Sequence, residues 1–188
     1  MPERLLLVYA VLPLWWLAGM FDWWLHRRSA IEATAGVRES LLHLLMLAEI
    51  GVPVLALLWL QADAGLLLLC VAAFVVHELT VLADLRWVRD RRPVVPFEQM
   101  VHSFQEVLPL AGIALLCAAH WPQALALLGT GSEAPIWLPR AKTDPLPVPQ
   151  IAAVLAGSAL VVALYLEELA RCLASRAARR PGGPAPML

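Results

Sequence analysis

Apolar residues along this chain fall into five long runs, separated by short segments that hold most of its charges. Each run approaches or exceeds twenty residues, the length a helix needs to cross the hydrocarbon core of a bilayer. The pattern predicts helices over about 5–26, 37–60, 66–88, 97–128 and 150–175. The breaks have local causes. Arg27 and Arg28 close the first run, and Gly36 interrupts the chain before the second. Ser29-Ala30-Ile31-Glu32 between them fits a capping box, with serine and glutamate satisfying free donors at a helix start. The segment 61–65 is a tight turn, and Pro93 and Pro96 force an extended connection. Pro53 should kink the second helix, and Pro109 or Pro122 should bend or end the fourth. The stretch 129–149 is rich in Pro and Gly without helical period, hence an extracytoplasmic loop, and 181–188 should be a disordered tail. No internal repeat is visible. The expected fold class is an all-α polytopic membrane protein, one domain over 1–180 with five transmembrane helices, helices 1–4 bundled around a polar site in their cytoplasmic half.

Composition sharpens this. Of 188 residues 61% are hydrophobic and only 15% charged, which excludes an ordinary water-soluble domain. The net charge of −1 offers no basic excess for nucleic acid. Cys70, Cys117 and Cys172 lack metal-site spacing and read as small apolar fillers. The first run has no small-residue cleavage site before Asp22, so it reads as a retained helix rather than a signal peptide. Eleven of the fourteen basic residues fall on one side of the five spans, leaving Arg4, Arg140 and Lys142 on the other. The positive-inside rule then puts the C-terminus in the cytoplasm and the N-terminus outside, as expected for a bacterial inner-membrane protein. Trp23, Trp24 and Trp87 fall near the inner interface, and Trp59, Trp121 and Trp137 near the outer one. Trp15 and Trp16 fit neither belt.

The polar residues inside the spans carry the candidate chemistry, because an ionisable group in lipid is costly and marks function by default. Asp22 and His26 lie four residues apart on the first helix, as do Glu39 and His43 on the second. That spacing stacks two side chains on one helix face. His77 and Asp84 share a face of the third helix, and Glu98, His102 and Glu106 form a stripe on the fourth. All sit in the cytoplasmic halves; His43, Asp84 and His102 lie roughly 10 Å inside their helix ends at 1.5 Å per residue. His43 and His102 should lie at one level on helices that face each other, Glu39–His43 and Glu98–His102 being two copies of one device. The outer halves are nearly bare apart from His120, an interfacial histidine. Asp22, His26, Glu39, His43, His77, Asp84, His102 and Glu106 therefore form a ligand pool for a pair of first-row divalent metals, with iron expected and zinc or manganese as alternatives. Glu32, Glu49, Glu78 and Glu98 would orient the ligand histidines. Glu167 and Glu168 should pair with Arg171 instead. The competing reading is a network of salt bridges neutralised by Arg38, Arg86 or Arg89.

As a class, these ligand types and spacings resemble membrane non-haem di-iron oxygenases and desaturases, and more loosely the ferritin-like carboxylate proteins. The histidine boxes of fatty-acid desaturases are absent, and the ExxH spacing of ferritin-like proteins is not matched. The resemblance implies an oxidoreductase with a di-iron centre, acting on a lipid or other apolar substrate and served by a redox partner. A zinc-dependent lipid hydrolase would use the same ligands with metal-bound water. Non-enzymatic haem binding or metal transport is the third alternative, against which stand the dense carboxylates and the bare outer halves.

Overall fold

Each apolar run folds as a helix, and in the computed structural model, which describes residues 2–179, five helices are long and apolar enough to cross a membrane. They are α1 (Pro2–Arg28), α2 (Gly36–Trp59), α3 (Ala64–Val88), α4 (Pro96–Ala119) and α6 (Val148–Ala178), with a short α5 (Trp121–Leu127) between the last two. The tail 181–188 and Arg180 lie outside the described residues.

Prolines account for most departures from regular helix. Pro13 cannot donate to the preceding turn, and its ring would clash with the carbonyl four residues back. The turn before it, Leu7–Val11, widens to π-helix, and the Leu12 amide reaches back to the Leu7 carbonyl. Pro53 and Pro109 are carried inside α2 and α4 without ending them. The expected single helix over 97–128 is instead two. The chain leaves helical geometry at His120 (φ −119°, ψ 41°), and Pro122 sits in the first turn of α5, where its missing donor costs nothing.

The capping box is not formed. Ala30 takes a left-handed conformation (φ 51°) and Ile31–Ala33 make a single 3₁₀ turn. Ser29 donates to the His26 carbonyl, and the Glu32 carboxylate pairs with Arg171 on α6. Gly36 then opens α2 at φ 70°, where a side chain would be strained.

The five long helices close a ring in the order α1, α6, α2, α3, α4, with α4 returning to α1. The expected four-helix bundle is thus a five-helix one, with α6 wedged between α1 and α2. At one end the segment between α5 and α6 is tied down. Arg140 makes a two-pronged pair with Asp63 (2.8 and 2.8 Å), Leu60 bridges Ala141, and the Gln123 side-chain oxygen Oε1 accepts from the Ile136 amide. The opposite, arginine-rich end carries the connections α1–α2 and α3–α4. Large apolar side chains such as Leu17, Leu41, Leu79, Phe104 and Leu166 face outward, while among the described residues eight acids and histidines of the long helices are almost fully buried in that half. This is the inverse of a water-soluble protein, whose surface rarely shows large contiguous apolar patches.

Candidate metal centre

The site is built from the arginine-rich halves of all five long helices. Its axis is a pair of imidazoles. His26 of α1 and His43 of α2 stack with ring centroids 4.5 Å apart and planes within 9°. Glu168 of α6 lies against the same edge of both rings, Oε2 3.0 Å from His26 Nδ1 and Oε1 3.2 Å from His43 Nδ1. A carboxylate only accepts, so each Nδ1 donates, and each Nε2 points to the far side of the stack.

Carboxylates wait at both Nε2 atoms. His26 Nε2 is 3.4 Å from Asp22 Oδ1 and 3.4 Å from Glu98 Oε1, without a hydrogen-bond partner of its own. His102 Nε2 comes within 2.9 Å of the same Asp22 oxygen, while the Tyr165 hydroxyl donates to the other (2.9 Å). His43 Nε2 lies 3.6 Å from Asp84 Oδ2, and Asp84 Oδ1 is buried with no hydrogen-bond partner among the described residues. Donor atoms of three groups each fall within 4.8 Å of one another: Asp22, His26, Glu98 and His102; Glu39, His43 and Asp84; and His26, His43 and Glu168.

Glu39 and Glu98 also meet a cation. Arg92, on the α3–α4 connection, turns inward until only 6% exposed, its Nη2 2.5 Å from Glu39 and 2.6 Å from Glu98. Burial works against its charge, but the two carboxylates outweigh that and hold its pKa above the usual arginine range. The expected neutralising arginines are elsewhere: Arg38 lies over the Trp87 ring, as does Arg91, Arg86 is exposed, and Arg89 pairs with Asp90 in solvent.

Six of the eight expected ligands thus come together: Asp22, His26, Glu39, His43, Asp84 and His102. His77 and Glu106 do not join them. They line a cavity of about 60 Å³ beside the cluster, together with Asp22, His43, Asp84 and His102. His77 Nδ1 instead meets the Met46 carbonyl (3.3 Å), and Glu49 accepts from Thr80 (2.8 Å). Among the expected orienting acids, Glu98 enters the cluster, Glu32 goes to Arg171, and Glu49 and Glu78 stay outside. Nor do His43 and His102 face one another directly, because His26 stands between them, 6.4 Å from His102.

The largest correction concerns α6. Glu167 does pair with Arg171 (3.0 Å) and with Arg27, but Glu168 turns inward as the residue that holds both histidines. The signal for this is the buried stripe Val154, Val161, Tyr165, Glu168, Cys172, which follows helical spacing and leaves Glu167 out.

No family model matches the chain, and no similar protein is found among curated sequences or solved structures.

Proposed function

We propose that this chain is an integral membrane protein of the bacterial inner membrane, N-terminus outside, carrying a two-metal centre in its cytoplasmic half and acting as an oxidoreductase on a lipid or other apolar substrate. The observation that carries this reading is a charge imbalance. Five carboxylates (Asp22, Glu39, Asp84, Glu98 and Glu168) are buried to 4% exposure or less around one buried guanidinium. With neutral imidazoles that leaves four formal negative charges, an arrangement far too costly in low dielectric without cations. Two divalent ions supply the balance, and the nitrogen and oxygen donors suit iron, manganese or zinc.

Asp22, Glu98, His26 and His102 would hold one ion, and Glu39, His43 and Asp84 the other. Glu168 would fix the tautomer and orientation of both stacked histidines, and Tyr165 would orient Asp22. Bound iron would supply one-electron chemistry with oxygen, while the protein's part is to keep the ligands dry, deprotonated and aimed. The 60 Å³ cavity beside His43, Asp84 and His102 exceeds the roughly 15 Å³ that one water needs, leaving room for a small reactant.

Metal analysis of the purified full-length protein tests this. About two iron atoms per chain with a charge-transfer band are expected. His43→Ala and His102→Ala should lose metal while still inserting in the membrane, and His120→Ala should keep full metal content. Protein without stoichiometric transition metal, and refractory to reconstitution, would overturn the proposal. One tight zinc with oxygen-independent ester or amide cleavage would replace it with the hydrolase reading.

A further inference from the structure

Beyond the metal cluster, toward the end where α1 begins, the ring of helices encloses a second and larger cavity of about 200 Å³. An apolar protein cavity of about 150 Å³ already stays dry and takes up a benzene-sized ligand. Its walls come chiefly from α1, α2 and α4, and each carries a π-turn or an internal proline where it meets the space. The π-turn of α1 contributes Leu7, Val8 and Val11, while Pro53 and Pro109 contribute from α2 and α4. Widened turns and prolines inside helices recur at functional sites.

The two ends of this cavity differ. At the inner end Trp15 lines both it and the smaller cavity beside the histidines, a residue that the two linings share. At the outer end the lining turns polar, with Arg4, Lys142, Asp144 and His120. Arg4 is paired with Asp144 at 3.3 Å. Lys142 is half-buried, and among the described residues no hydrogen bond or ion pair within 4 Å engages its ammonium. The lining there therefore carries two cations against one carboxylate, Asp144, which pairs with Arg4 at short range and acts on Lys142 only through space. Arg4 and Trp15 are separated by roughly 16 Å along α1 at 1.5 Å per residue.

From this we infer that the cavity binds a single-chain amphiphile with an anionic head, head at Lys142 and Arg4, chain running inward to Trp15. The assignment deepens the proposed function, since it names the substrate class and sends the substrate in from the outer side. At the arginine-rich end Arg92 is buried between Glu39 and Glu98. Burial and the neighbouring Arg4 depress the Lys142 pKa, and an anion seated there would reverse that shift. A cationic head would meet the same field as repulsion.

The test uses the full-length protein in lipid nanodiscs, with 12-bromododecanoate as probe, its bromine at the chain end and its extended length about that of the cavity. Saturable quenching of tryptophan fluorescence is expected, displaced by dodecanoate but not by dodecyltrimethylammonium. Trp15→Phe should remove most of the saturable component. Lys142→Gln should weaken binding roughly tenfold, the usual effect of losing a charge-assisted hydrogen bond. Gly112 lines the cavity, and a Cβ there makes only ordinary contacts, 3.6 Å to Leu7 and 3.7 Å to Val11. Gly112→Leu therefore projects into the space and should abolish binding. Quenching that never saturates, survives Trp15→Phe unchanged, or is displaced equally by the cationic amphiphile would overturn the inference. Metal content is read on the same preparations. Metal-loaded protein without saturable quenching refutes the amphiphile site alone, and saturable quenching in protein that cannot take metal refutes the metal centre alone.

Discussion

Glu168 shows how one side chain sets the chemistry of several others. Its two oxygens accept from His26 and His43, so both rings are held in one tautomer and in parallel planes by a residue of a third helix. Partners of this kind are worth about 10–100-fold in metal affinity. Glu168→Ala should therefore weaken iron binding by about that factor in a metal titration, although Glu168 is not counted among the ligands. Glu168→Gln still accepts at its carbonyl oxygen but presents an amide to the second histidine, so its affinity should fall between native and alanine. A titration in which Glu168→Ala binds as tightly as the native protein would show that the histidines are held by packing alone.

At the scale of elements, the α3–α4 connection is the least expected participant. Pro93 and Pro96 keep it extended, and Pro96 takes the first position of α4. Between them and α3 the chain turns inward and buries Arg92, although its neighbours Arg89 and Arg91 stay exposed. Removing one partner from a buried ionic group costs about 3–5 kcal/mol, since the others are left uncompensated. Arg92→Met should accordingly lower the thermal stability of metal-free protein in detergent. Metal should restore a larger share of stability to the variant than to the native chain, because cations replace the missing charge and ligand binding stabilises the folded state. Identical melting of the two metal-free proteins would mean that the guanidinium carries little of the charge balance. α5 contrasts with this connection, since it exists because Pro122 cannot continue α4.

For the whole molecule, the ring of five long helices puts the arginine-rich connections at one end and the tied-down segment with Asp63 and Arg140 at the other. The proposed orientation can be read directly from exposed positions at each end, Glu133 and Asp90. In a background without Cys70, Cys117 and Cys172, Glu133→Cys should react with an impermeant maleimide on intact cells. Asp90→Cys should react only after permeabilisation. The reverse pattern would invert the topology and place the metal centre in the outer half.

The helices, and the crowding of acids and histidines toward one end of them, were legible in the sequence because both are local properties. Run length decides whether a segment can span, and i+4 spacing decides which side chains share a face. Six ligand positions could be named that way. Which faces meet was not legible. α3 is apolar nearly all round, so its pattern does not say which side turns inward, and spacing alone puts His77 on the face of Asp84. Neighbour order is a long-range matter of packing: it seated α6 between α1 and α2 and placed His26 between His43 and His102. Glu167 and Glu168 are adjacent in sequence and about 100° apart on the helix. Only the rotation of α6 against its neighbours decided that one meets arginines at the rim and the other two histidines in the interior.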